Sequence, residues 1–174
     1  MLKPGDPIPP FDLPALLDGR SGRVTLGGIR SELVVLFFYP RDFSFICPTE
    51  VTGFGKALSL LPQRRLPCWA SVNDVESHRR WAAELGGVTY PLLADQGGEF
   101  AKACGVFDEQ EQVATRATFL LDNKRAVIFA EASPINVGRS VDETLRVVRA
   151  YRSGRLCPAD WEPGDAFGPA DRKY

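Results

Sequence analysis

The densest apolar stretch of the chain lies at residues 33–39 and stops at Pro40 and Arg41. A run this short, rich in β-branched and aromatic side chains, predicts a strand covered on both faces over residues 32–39. Residues 66–72 predict a second strand. Asn73-Asp74 then offers a cap for a helix to about Leu85, which Gly86-Gly87 ends. Residues 91–94 predict a short strand, followed by Asp95 and a helix over about residues 98–103. Residues 117–121 and 126–132 read as strands joined by a turn at Asp122-Asn123-Lys124. Ser140-Val141-Asp142-Glu143 has the spacing of a capping box and opens a helix that ends near Arg152. Residues 1–30, rich in Pro and Gly, read as an extended lead-in with one or two short strands, such as Val24-Thr25-Leu26. The final ~20 residues read as an irregular arm. Strands alternating with helices before a late hairpin predict an α/β layered domain with a mixed central β-sheet flanked by helices. The domain spans residues 1–152 and the arm residues 153–174.

Composition narrows the classes. A chain of 174 residues, 44% hydrophobic and 25% charged, can build a core as one domain. Its 21 basic and 22 acidic side chains leave a net charge of -1. That balance carries no electrostatic footprint for nucleic acid or a membrane surface. No apolar run approaches the ~18 residues a membrane span needs. Met1-Leu2-Lys3-Pro4-Gly5-Asp6 lacks the apolar segment of a secretory signal, so the reading is a cytoplasmic protein.

The candidate chemistry lies in the cysteines: Cys47, Cys68, Cys104 and Cys157. No two are close enough for a CxxC motif, and His78 is the single histidine, so neither a zinc site nor a thioredoxin-type dithiol fits. A reducing cytosol excludes structural disulfides, which leaves each cysteine as a small buried hydrophobe or a reactive thiol. Cys47 differs from the others by position. A helix is predicted to begin near Cys47-Pro48-Thr49-Glu50, since proline suits a first helical turn, although Gly53 and Gly55 weaken its continuation. Unpaired amides and the positive end of the helix dipole would favour a thiolate there. Ser44, three residues upstream, is placed to turn its hydroxyl toward the sulfur or a bound substrate oxygen. The plainer alternative is a structural cysteine after a strand, with Ser44 an ordinary loop hydroxyl.

The string Pro40-Arg41-Asp42-Phe43-Ser44-Phe45-Ile46-Cys47-Pro48-Thr49-Glu50 contains Pro-x-x-x-Ser-x-x-Cys and resembles the active-site segment of the 2-Cys peroxiredoxins. The likeness extends along most of the chain. Gly5-Asp6 with Phe11-Asp12-Leu13 resembles the family's opening. His78-x-x-Trp81 fits the helix after the second strand. Arg116-Ala117-Thr118-Phe119-Leu120-Leu121-Asp122 fits the strand bearing an active-site arginine. Val137-Gly138-Arg139-Ser140 fits the start of the late helix, and Cys157-Pro158-Ala159-Asp160-Trp161 looks like the C-terminal resolving-cysteine motif. The resemblance implies a thioredoxin-like fold and a thiol peroxidase working without metal, haem or flavin. It assigns Cys47 as the peroxidatic cysteine, shielded from water by Pro40. Ser44 hydrogen-bonds peroxide or thiolate, and Arg116 supplies a fixed positive charge. Glu50 and Arg139 orient Arg116, and Cys157 resolves the oxidised Cys47. His78 is left to packing with Trp81. The implied partners are a peroxide substrate, thioredoxin or a flavoprotein disulfide reductase as electron donor, and a second subunit in a homodimer that can extend to a decamer.

Two features depart from the family pattern. Cys68 and Cys104 match no catalytic position and read as packing residues. The Gly-Gly-Leu-Gly loop and terminal Tyr-Phe pair of overoxidation-sensitive members are missing, since Leu85-Gly86-Gly87-Val88 and the segment after Ala166 read otherwise. Relative resistance to sulfinic acid formation is therefore expected. A one-cysteine peroxidase, a ring-shaped holdase chaperone and a redox sensor are the competing readings. Cys-Pro-Thr-Glu in place of Cys-Thr-Thr-Glu argues against the first.

Overall fold

The computed structural model describes residues 1–59 and 67–170. The elements run β1 (Asp12–Leu17), β2 (Arg20–Thr25), β3 (Val34–Phe38), α1 (Cys47–Ser59), β4 (Pro67–Ser71), α2 (Val75–Glu84), β5 (Leu92–Ala94), α3 (Glu99–Ala103), β6 (Phe107–Asp108), β7 (Val113–Ala114), β8 (Arg116–Leu121), β9 (Val127–Ser133) and α4 (Val141–Ser153). By internal contacts the chain falls into two units, Met1–Arg139 and Ser140–Tyr174.

The first unit is built on a seven-stranded mixed sheet in the order β2-β1-β5-β4-β3-β8-β9. β3 is parallel to β4, and β4 to β5; every other pairing in the sheet is antiparallel. β3 is buried at every position, as its unbroken apolar run requires of a central strand. The pleat then sorts side chains between two faces. Val34, Leu36 and Phe38 join Cys68, Ala70, Ala117, Phe119 and Leu121 in one apolar core, which Phe100 and Cys104, from α3 and its C-cap, complete. Phe37 and Trp69 point the other way, where Phe54 of α1 packs on both rings. Tyr39 shares that second face and stacks on Trp81 of α2. The same alternation along β8 turns Arg116 and Thr118 away from the first core and toward α1.

The hydrophobic pattern located the main strands and helices, with small shifts of their ends. Of the second strand expected at residues 66–72, Leu66 lies outside the described residues. The Val24-Thr25-Leu26 strand is the end of a longer one, and Leu26 already begins a 3-10 turn. β1 is the second short strand the lead-in allowed, at a position the pattern did not single out. It forms a hairpin with β2 across Asp18 and Gly19, whose φ angles of 47° and 76° make the two-residue turn that matches strand twist. β6 and β7 form a second small hairpin that was likewise not read.

α3 depends on one carboxylate. Asp95 accepts the amides of Phe100 at 3.0 Å and Ala101 at 2.8 Å, satisfying two of the helix's free donors. Gly98, its N-cap, has φ +72°, and a Cβ there would clash with the Phe107 ring. Gly98→Ala is therefore expected to cost about 2–4 kcal/mol, from left-handed backbone and a steric clash together. Urea denaturation would measure it.

In the second unit, Ser140 caps α4 by accepting the Glu143 amide at 3.1 Å, and Gly154 ends the helix at φ +64°. The segment after α4 is built around its own cluster. The Trp161 ring packs on Phe167 at 5.1 Å, and the Arg155 guanidinium lies over Phe167 at 4.0 Å. The Gly168 amide donates to the Leu156 carbonyl at 2.8 Å. Among the described residues no helix is long and apolar enough to cross a membrane.

Candidate active site

β3 delivers the chain to a loop that begins at Tyr39 and ends where α1 starts, at Cys47. Pro40 is buried at the start of this loop. The Ile46 carbonyl accepts the amides of Thr49 at 3.0 Å and Glu50 at 3.3 Å, so Cys47 stands in the first turn of α1. Its own amide donates to Ser44 Oγ at 3.3 Å. Ser44 thus meets the Cys47 backbone by accepting, which leaves its hydroxyl proton to donate. The sulfur is buried, with 0% of the residue exposed.

Glu50 follows Cys47 by one helical turn, which puts both side chains on one face of α1. Arg116, at the start of β8, reaches that face from the sheet. Its Nη1 donates to Cys47 Sγ at 3.3 Å and to Glu50 Oε2 at 2.7 Å, while Nε donates to the Ile135 carbonyl at 2.8 Å. Arg139 closes the arrangement. Its backbone amide and Nε both donate to Glu50 Oε1 at 2.9 Å, and Nη2 donates to Oε2 at 3.0 Å. Nη1 donates to the Ala117 carbonyl at 2.7 Å, and the guanidinium lies over the Phe37 and Trp69 rings. Burial works against the Glu50 charge, but the hydrogen bonds and charge of Arg139, with the charge of Arg116, outweigh it and hold the carboxyl below its ordinary value.

The remaining cysteines have other settings. Burial pushes the thiols of Cys68 and Cys104 up to about 12, which keeps them protonated and inert at neutral pH. Cys68 also lines a cleft of about 490 Å³ beside Arg23 and Arg30, which contains none of the residues around Cys47. Cys157 is half-buried, with Sγ 3.5 Å from Ser153 Oγ and 3.8 Å from the Ala150 carbonyl. Among the described residues no group of His, Cys, Asp and Glu is placed to hold a metal ion.

The first unit thus brings Cys47, Ser44, Glu50, Arg116 and Arg139 together around one sulfur. The AhpC/TSA family pattern matches residues 4–130 of the chain. The chain belongs to the AhpC/TSA family of peroxiredoxins. It is similar to the thioredoxin peroxidase of Trypanosoma brucei rhodesiense, 37% identical over 95% of this chain and 89% of that protein. The solved structure of a reduced Plasmodium vivax 2-Cys peroxiredoxin superimposes with a TM-score of 0.86 at 31% identity, covering 96% of this chain and 93% of the other. Mycobacterium tuberculosis AhpC gives a TM-score of 0.84 at 32% identity, over 93% of this chain and 99% of that one. The fold is accordingly thioredoxin-like, and this peroxiredoxin is an enzyme of the peroxidase type.

His78 has a polar partner beyond the packing expected of it. It hydrogen-bonds the Asp42 carboxylate at 2.9 Å, while its ring and that of Trp81 both lie against Tyr39. Asp42 passed unnoticed in the sequence except as part of the matching string. The signal available was an acidic residue entering a loop directly behind a fully apolar strand.

Proposed function

We propose that this peroxiredoxin reduces hydrogen peroxide and organic hydroperoxides through Cys47, with Cys157 as resolving cysteine and an external dithiol protein as electron donor. The observation that carries the reading is the Arg116 guanidinium 3.3 Å from a buried sulfur in the first turn of a helix. A fixed positive charge and helix N-terminal amides favour the thiolate, which is the nucleophile. Pro40, buried beside the loop, keeps water from the sulfur.

In the first step the Cys47 thiolate attacks one peroxide oxygen and the O–O bond breaks. Two electrons pass from sulfur to the peroxide, Cys47 becomes a sulfenic acid, and the departing hydroxide or alkoxide takes a proton. Charge grows on the leaving oxygen, and Arg116, the Ser44 hydroxyl and the amides of the first turn are the donors that meet it. Glu50 and Arg139 keep the Arg116 fork aimed. In the second step Cys157 attacks the sulfenic sulfur, a disulfide forms and water leaves. A dithiol then exchanges with that disulfide and restores both thiols.

The 2-Cys reading is supported by the Cys157–Trp161 motif and by the likeness to a named 2-Cys peroxiredoxin. Thioredoxin is the donor suggested by the name of the trypanosome relative, with a flavoprotein disulfide reductase as the alternative. Cys157 is proposed to act on Cys47 of a second subunit, in a homodimer that can extend to a decamer in the cytoplasm. Cys157→Ser tests this. The variant is expected to reduce one equivalent of peroxide per chain and then stop under dithiol-driven turnover. Continued cycling at the wild-type rate would remove Cys157 from the mechanism and favour a one-cysteine peroxidase.

A further inference from the structure

Asp42 lies in the loop that leads to Cys47 and is 6% exposed. Its carboxylate accepts from three side chains: Tyr39 Oη at 2.8 Å, Ser77 Oγ at 2.7 Å and His78 Nδ1 at 2.9 Å. Its amide donates to Asn73 Oδ1 at 2.9 Å. Asn73 Nδ2 donates to Ser77 Oγ at 3.3 Å, which leaves the Ser77 proton for Asp42. Three donors on one buried carboxyl fit the ionised form.

His78 is fully buried, and both its ring nitrogens face acceptors. Nδ1 meets the Asp42 carboxylate, and Nε2 lies 3.2 Å from the Leu93 carbonyl. The ring thus joins α2 to the loop through Asp42 and to β5 through Leu93, and the Tyr39 hydroxyl lies 3.4 Å from the same Nδ1.

The pair divides the loop. Tyr39 and Pro40 are buried before it. Directly after it, Phe43 has φ +56°, with its side chain about half exposed, and Phe45 is 93% exposed. The Cys47 sulfur is enclosed, so no second thiol reaches it unless the segment carrying it moves.

We propose that Asp42 and His78 are positioning residues. Their buried contact, with Ser77 beside it, pins the first half of the loop to α2 and makes Phe43 the hinge about which the Cys47 segment opens. The assignment rests on the peroxidase reading given above. It carries opposed consequences for the two chemical steps. Attack on peroxide needs the closed loop, with Arg116 against the sulfur, whereas disulfide formation needs the open one. Loosening the pair slows the first step and speeds the second. A role in overall stability alone would leave the balance of products unchanged.

Two measurements test this. The chain has one histidine, so ¹⁵N labelling of histidine in the reduced protein reports a single ring. Its ring-nitrogen signals are expected to shift in Asp42→Asn, and signals identical to the wild type overturn the Asp42–His78 contact. The second measurement uses Asp42→Asn and the milder Ser77→Ala, which removes a donor without stranding a charge. Each is titrated with hydrogen peroxide, and mass spectrometry reads Cys47–Cys157 disulfide against Cys47 sulfinic acid. The ratio is expected to rise about tenfold in Asp42→Asn, and less in Ser77→Ala, as hydrogen bonds to a charged group are lost. An unchanged ratio in both variants overturns the hinge. Failure of the peroxidase reading looks different: Cys47 would stay unoxidised in the wild type, which would remove the loop's role while leaving the ring spectrum as it is.

Discussion

Arg116→Met is expected to lower the rate constant for peroxide reduction by about two to three orders of magnitude. Arg116 Nη1 bridges the Cys47 sulfur and Glu50, and its Nε is fixed on the Ile135 carbonyl. Methionine fills similar space but gives neither a charge to favour the thiolate nor a donor for the departing oxygen. Glu50 keeps its other partner, Arg139, so the fold should largely survive. Arg116→Lys should fall between the wild type and Arg116→Met. A lysine keeps the charge, yet one ammonium on a flexible stem cannot reproduce a fork holding three acceptors at once. Stopped-flow measurement of the reduced protein against hydrogen peroxide checks both variants. A methionine variant that reacts at the wild-type rate would take Arg116 out of the chemistry.

Glu50→Gln differs by costing stability as well. The carboxylate is the shared counter-charge of two buried guanidiniums, Arg116 and Arg139. Removing one partner of such a group leaves buried charge uncompensated, a loss of about 3–5 kcal/mol. Both stability and peroxide reactivity should therefore fall. The effect has a pH signature. The native carboxyl titrates below its ordinary value of 4.5, because Arg139 and Arg116 outweigh burial. The stability Glu50 contributes is therefore fully present above about pH 4.5 and is lost as pH falls through the lower native value. The gap between wild type and Glu50→Gln should be widest near neutral pH and narrow below about pH 4.5. Urea denaturation across pH 3–7 would measure it, and a gap independent of pH would separate Glu50 from the two arginines.

The contrast between these variants follows from what the sequence made visible and what it did not. The apolar run of β3, the glycine-bounded α2 and the capping box of α4 could be read directly, because each is dictated by neighbours along the chain. The Asp18-Gly19 hairpin was also local, but it was obscured by a Pro- and Gly-rich lead-in that reads as irregular. Cys47 at a helix start was legible from Pro48 and the preceding strand. Arg116 was not legible on physical grounds alone, since an arginine before a strand ordinarily faces solvent. Only the pleat of β8, set by its pairing with β3, turns it inward to α1. The Glu50–Arg139 contact joins residues 89 positions apart, and Asp42–His78 joins residues 36 positions apart. No spacing rule reaches that far. The family resemblance named Arg116, Glu50 and Arg139, but it gave His78 no polar partner.

The proposed mechanism makes Cys47, alone among the four cysteines, the thiol that meets peroxide. The direct measurement treats the fully reduced protein with less than one equivalent of hydrogen peroxide and maps every cysteine by mass spectrometry, with a sulfenic acid trap present. Cys47 is expected to be modified, as trapped sulfenic acid or as a disulfide with Cys157, while Cys68 and Cys104 remain free thiols. Oxidation of Cys68 or Cys104 with Cys47 intact would contradict it, as would a protein that consumes no peroxide.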